Sequence, residues 1–278
     1  MQFNPSQVNL KQFNATTGKS DLAITGVLEN FYGFIFKNQE LKGNFNLNSN
    51  QLAVSDFMTP ETNSGAEAKK AEAMKIPAFL NCSLTAKANT VLYDNLTLKE
   101  VSGKLIVKDE KMTMENVKTS IFGGTIGLNG AVSTKGKTPT FEMNLGLNQV
   151  DIAQSFTQLD MLKKIAPIAG IINGKLNSTI KLNGNLTDSM SPDLKTLTGD
   201  LLGQLLSTTL NSTNSTLLTA LGSNLKFIDV SKINLNDLKA AITFENGKVN
   251  VKPFDIKYKD IKATIGGTHG FDQSMNYN

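Results

Sequence analysis

A mainly β fold, laid out as an elongated, curved antiparallel sheet with two or three amphipathic helices, is what the chain predicts. Three observations carry that reading. Apolar and polar residues alternate over most of the 278 residues, turn-forming breaks separate the alternating runs at hairpin distance, and one such module occurs twice.

The alternation is clearest where Leu80, Cys82, Leu84, Ala86 and Ala88 interleave with Asn81, Ser83, Thr85, Lys87 and Asn89. Leu41, Phe45 and Leu47 alternate with Lys42, Asn44 and Asn46, and Phe141, Met143, Leu145 and Leu147 with Glu142, Asn144 and Asn148. Leu176, Ile180, Leu182 and Leu186 repeat the pattern against Lys175, Asn177, Thr179, Lys181, Asn183 and Asn185. A strand with one dry and one wet face belongs to an antiparallel sheet. Breaks such as Asp109-Glu110-Lys111 and Glu245-Asn246-Gly247 join neighbours as a meander of a dozen or more strands.

The module spanning Leu98, Val101, Gly103, Leu105, Val107, Met112, Met114 and Val117 aligns without a gap onto Leu235, Leu238, Ala240, Ile242, Phe244, Val249, Val251 and Phe254. Each copy ends in a strand with a glycine pair, Gly123-Gly124 or Gly266-Gly267, read as a bulge or tight bend that lets the sheet curl. Modules stacked in series make an elongated body.

Three segments depart from period two. Residues 60–76, with Ala66-Glu-Ala-Lys-Lys-Ala-Glu-Ala73, have no apolar stripe and read as a charged surface insertion between an N-terminal β segment, 1–59, and a longer β region, 77–278. Ile152, Phe156, Leu159, Leu162 and Ala166 recur at helical spacing before Pro167, which predicts a helix near 151–166. Leu194, Leu197, Leu201, Leu205 and Leu206 predict a second near 194–210, and Leu217, Leu218, Leu221 and Leu225 a third near 216–225.

Composition narrows the function. One cysteine, Cys82, leaves no internal disulfide or Cys-based zinc site and reads as a small buried apolar residue. One histidine, His269, between Thr268 and Gly270, reads as a surface or turn residue. The net charge of +4 comes from lysine alone, without the arginine fork that phosphate readers favour, so nucleic acid is not expected as a partner. Asp109 with Glu110, and Asp255 with Asp260, fall at turns or on wet faces rather than as a catalytic pair, and no Ser/His/Asp set can be assembled. No enzyme activity, cofactor or metal is expected. No stretch of eighteen apolar residues occurs, and the opening ten residues lack the apolar core of a signal peptide. The chain reads as an excised piece.

A long sheet with one apolar face must cover that face or leave it as a trough. A closed sandwich explains the alternation equally well, but a sheet that curls without closing would offer a Leu/Ile/Val/Phe/Met lining suited to acyl chains.

The run Ile171-Ile-Asn-Gly-Lys-Leu-Asn-Ser-Thr-Ile-Lys-Leu-Asn-Gly184 resembles the C-terminal region of AsmA-like proteins. Ile233-Asn-Leu-Asn-Asp-Leu-Lys-Ala240, Glu245-Asn-Gly-Lys-Val249, the Phe122-Gly-Gly-Thr-Ile126 strand and the Gly266-to-Tyr277 ending do so too. The likeness covers residues 80–278 well and the first sixty loosely. It implies a curved β-groove related to TamB and chorein-type bridges. It also implies a periplasmic address, anchoring to the inner membrane through a segment not present in this chain, and a part in moving phospholipid and building the outer membrane. On this reading the protein is a non-enzymatic lipid-transfer groove that shields phospholipid acyl chains. The lining assigned to it is Leu80, Leu84, Leu105, Val107, Met112, Met114, Ile126, Phe141, Met143, Leu145, Ile180, Leu182, Ile242, Phe244, Val249 and Val251. The alternative is an envelope scaffold that binds partner proteins through sheet edges and carries no lipid.

Overall fold

The computed structural model describes residues 2–4, 6–57, 75–159, 172–188, 190–210, 234–245, 247–271 and 274–277. The chain is mainly β, as its alternation predicts. Among the described residues, fifteen strands form one open sheet in which spatial order follows chain order. They are β1 (Gln2–Asn4), β2 (Gln7–Thr17), β3 (Ser20–Glu29), β4 (Leu41–Ala53), β5 (Leu80–Tyr93), β6 (Leu96–Lys108), β7 (Lys111–Ile121) and β8 (Gly124–Ser133). There follow β9 (Thr140–Asp151), β10 (Ile172–Asn185), β11 (Thr198–Leu210), β12 (Lys239–Glu245), β13 (Lys248–Tyr258), β14 (Ile261–Gly270) and β15 (Met275–Tyr277). Two helices are described, α1 (Phe31–Lys37) and α2 (Ile152–Gln158).

By contacts the chain divides into two units. The first is Met1–Ile121, Gly127–Met143 and Gly184–Asp193; the second is Phe122–Ile126, Asn144–Asn183 and Leu194–Asn278. Strands β4 and β5, on either side of the insertion, pair directly within the first unit. That pairing is parallel, Leu41 to Leu80 through Ala53 to Leu92, and is an exception to the meander. Parallel neighbours need a crossover long enough to return the chain to the starting end, and residues 54–79 provide it. Only its two ends, including a 3-10 turn at Val54–Phe57, lie among the described residues.

Hairpin turns follow local chemistry. Asp109 and Glu110 both take positive φ (52° and 56°) between β6 and β7, as do Phe122 and Gly123 (53° and 64°) between β7 and β8. Two consecutive left-handed residues match the right-handed twist of the flanking strands. The sequence repeat is also a repeat of register. Lys108 faces Lys111, Val107 faces Met112 and Leu105 faces Met114; the equivalent pairs are Glu245–Lys248, Phe244–Val249 and Ile242–Val251. The second copy is shorter, since Leu235 to Leu238 precede β12. Its glycine pair sits inside β14, where a Cβ on Gly266 would lie 3.0 Å from the Pro253 ring carbons, beside the bulge between Val251 and Phe254.

Two helix predictions need correction. Residues 194–210 form a 3-10 turn at Leu194–Thr196 followed by β11, not a helix. Paired leucines at 201–202 and 205–206 satisfy both periods; here hydrogen bonding to β10 and β12 on either side selects the strand. The helix expected near 151–166 ends at Gln158, where Leu159 caps it with an extended backbone, and residues 160–166 lie outside the described residues. So do the helix near 216–225 and most of the charged insertion. Helix α1, flanked by left-handed Asn30 and Asn38, was not anticipated.

Candidate functional site: an apolar sheet face

In the first unit, register carries one apolar face across six strands. Phe13 lies opposite Ile24, Ile24 opposite Leu47, and Leu47 opposite Ala86. One step along, Phe45 lies beside Leu84, Leu84 opposite Leu105, and Leu105 opposite Met114. Cys82 follows with Val107, and Val107 with Met112. Directly opposed residues share a face, so these side chains form rows perpendicular to the strands. The other face reads Asn44–Ser83–Ile106–Thr113 and Asn46–Thr85–Lys104–Glu115. There Ser83 Oγ donates to Asn44 Oδ1 at 2.7 Å, and Asn89 Nδ2 donates to Asn50 Oδ1 at 3.1 Å.

Phe45, Leu84, Leu105 and Met114 are all half-buried, although they occupy the middle of their strands. A face sealed under a second layer would bury side chains of that size almost completely. The same half-exposure holds for Leu80, Val107, Met112, Phe141 and Met143.

The second unit treats its apolar face differently. Leu182, Gly199, Phe244, Val249 and His269 lie in one row across β10 to β14. Leu182, Phe244, Val249 and His269 are all buried. The turn at Leu194–Thr196 closes that end: a Cβ on Gly247 would come within 3.5 Å of Lys195 Cα, and the adjacent Leu197 is fully buried. At the other end α2 lies over the sheet, with Ile152 and Phe156 packed against Leu159, Ile172, Leu176 and Leu205. The Asp151 carboxylate caps this helix by accepting from Gln154 N–H at 2.9 Å. Between the two covers, Ile180 is buried and Ile242 and Val251 are half-buried, as are Ile126 on β8 and Leu145 on β9.

Of the sixteen residues assigned to a lining, twelve are thus half-buried and none is exposed. Ile180, Leu182, Phe244 and Val249 belong to the sealed core of the second unit rather than to an accessible face. His269 is likewise a buried strand residue facing Val249, not a surface or turn residue. Cys82 is half-buried within the apolar rows; burial pushes its thiol above the usual range. Asp255 lies on the wet side, its carboxylate held below the usual range by Lys262 (2.8 Å) and by the Thr264 hydroxyl, which donates at 2.7 Å. Asp109 and Glu110 form a hairpin turn.

An open recess of about 420 Å³ lies over β9 to β12. Its side chains Asn177, Thr179, Leu202, Gln204, Lys239 and Ala241 belong by register to the face opposite the Ile180–Leu201–Ile242 row. It is therefore separate from the assigned lining. Among the described residues no three His, Cys, Asp or Glu side chains converge, and no helix is long and apolar enough to cross a membrane.

One exposed feature escaped the sequence reading. Phe31, Tyr32, Phe34 and Phe36 place four aromatics within six residues, a density that would have marked the segment even without periodicity. Comparison with family models, curated proteins and solved structures finds no match to this chain.

Proposed function

We propose that the chain is a non-enzymatic lipid-binding protein whose first unit shields phospholipid acyl chains against the apolar face of β2 to β7. The observation that carries this is the half-exposed mid-strand row Phe45–Leu84–Leu105–Met114, on a face with no charged member in its central rows. Such a face attracts apolar matter, at about 0.8 kcal/mol per methylene removed from water. Its few polar groups, such as Ser49 at the margin, suit chains more than a ligand that must be oriented. The resemblance to AsmA-like proteins extends the proposal to transfer between the membranes of a bacterial envelope, with anchoring supplied by a segment outside this chain.

The test is mass spectrometry of the protein purified from a bacterial host, together with a Leu84→Asp/Leu105→Asp/Met114→Asp variant. Phospholipid should accompany the wild type and be lost from the variant, while circular dichroism keeps its strand signal. Lipid-free wild type, or unchanged occupancy in a folded variant, would overturn the proposal and favour the protein-binding scaffold.

A further inference from the structure

Register between β6 and β7 breaks twice and recovers. Lys99 lies opposite Ser120, Ser102 opposite Lys118, and Lys104 opposite Glu115. Strand β6 therefore carries one extra residue between Lys99 and Ser102, and β7 one extra between Glu115 and Lys118. At each place two residues face one, which is a β-bulge. Glu100 and Asn116 sit in these bulges with left-handed backbone, at φ of 52° and 51°. Asparagine tolerates that conformation better than most residues. The Asn116 N–H donates at 2.7 Å to Asn129 Oδ1 on the neighbouring strand β8. Gly103 gives the bulge room, since a Cβ there would lie 2.7 Å from Val117 Cγ2.

The bulges decide which side chains reach the apolar face. Residues on one face of a regular strand recur at every second position. Glu115 and Lys118 are three apart, yet both lie opposite wet-face residues, Lys104 and Ser102. Val117 and Ile121 are thereby turned to the side of Met112 and Met114, and the apolar row of β7 runs on for about 30 Å. Without the bulges, the same hairpin would set Asn116 opposite Gly103 and Lys118 opposite Val101, so that the lysine stood among apolar side chains. Instead Val117 is half-buried, Ile121 buried and Lys118 exposed. The second unit uses the same device on β9. Gln149 is left-handed (φ 52°), its N–H donates to Asn177 Oδ1 at 2.8 Å, and Leu147 and Val150, three apart around it, are both buried.

We propose that Asn116 is a positioning residue for the acyl-facing surface of the first unit. Its left-handed backbone, held by Asn129, brings Val117 and Ile121 onto that surface and keeps Lys118 off it. This inference rests on lipid binding by the sheet face.

The experiment reads register and lipid separately. Two cysteine pairs, Ser102→Cys with Lys118→Cys and Ser102→Cys with Val117→Cys, are each made together with Cys82→Ser, which removes the one native thiol. Only directly opposed residues come close enough for a disulfide. The pair at 102 and 118 should oxidise and the pair at 102 and 117 should not. The reverse would overturn the proposal, even if no substitution at 116 folds. Asn116→Gly and Asn116→Val are then compared with wild type by mass spectrometry of co-purified phospholipid. Glycine adopts left-handed backbone freely and should keep the wild-type content. Valine, β-branched and suited to a flat strand, should let the pair at 102 and 117 form and should lower phospholipid content about tenfold. Circular dichroism should keep its strand signal in both. A valine variant with unchanged register, one with altered register and full phospholipid content, or an equal loss in Asn116→Gly would each overturn the proposal. Lipid-free wild type would overturn the sheet-face reading and this inference together, whereas a wrong register overturns this inference alone.

Discussion

The carboxylate of Asp21 accepts from the backbone N–H groups of Asn50 (2.9 Å) and Gln51 (2.7 Å) and lies 3.4 Å from the Ser49 hydroxyl, tying the start of β3 to the end of β4. The two backbone donors hold its carboxyl below the usual carboxylate range. A carboxylate depressed in the folded state stabilises the fold above its unfolded pKa, and that contribution disappears as pH falls through the folded value. Thermal midpoints measured while the pH is lowered from about 5 should therefore fall in the wild type. In Asp21→Asn part of that acid dependence should be missing. An identical pH profile would remove Asp21 from the account. Gly199 is the second decisive residue. It has φ of +146°, and a Cβ there would run into the Lys181 carbonyl oxygen. It lies in register with Leu182 on one side and Phe244 on the other. Gly199→Ala should cost about 3 kcal/mol in urea unfolding, through backbone strain and a parted core row.

At the scale of elements, α2 and the β4–β5 crossover make separate predictions. Removing the Phe156 ring should cost about 3 kcal/mol, since it is buried against Leu159, Ile172, Leu176 and Leu205. Asp151→Ala should cost about 1 kcal/mol through the lost cap; equilibrium unfolding of both variants checks the ranking. The parallel pair sets a length requirement. Strand β4 has thirteen residues, about 43 Å of chain that the connection must retrace. Replacing 58–74 with a two-residue turn should abolish the β4–β5 pairing and the first unit with it. A Gly/Ser linker of equal length should preserve the strand signal in circular dichroism, because loop-closure entropy grows slowly with length. The misread β11 belongs to this scale. Its Leu201 and Leu205 share a face with Ile180 and Leu176, while Leu202 points to the other side. Leucines on both faces of an inner strand imitate a helical stripe.

For the whole molecule, the duplicated module is the most informative feature. The same hairpin register appears in both copies, yet Val107 and Met112 are half-buried while their counterparts Phe244 and Val249 are sealed; Met114 and its counterpart Val251 are both half-buried. Identical local patterns have therefore taken different roles, one in an accessible face and one in a core. The proposed lipid chemistry follows the accessible copy. Substituting Val249→Asp should unfold the second unit, whereas Met114→Asp should leave the strand signal intact; circular dichroism and urea melts distinguish them.

Alternation along the chain determined by itself which side chains share a face and where the hairpins turn, because a strand's period of two and the turn residues' φ preferences are local properties. Tertiary structure alone decided that β4 and β5 run parallel, that 198–210 is a strand, that His269 is buried and that α1 projects its aromatics. It also decided which part of the apolar face is covered. Those outcomes depend on residues far away in the chain, such as Lys195 beside the Gly247 turn between β12 and β13, or α2 over Leu176 and Leu205, and no local period encodes what will lie on top of a strand.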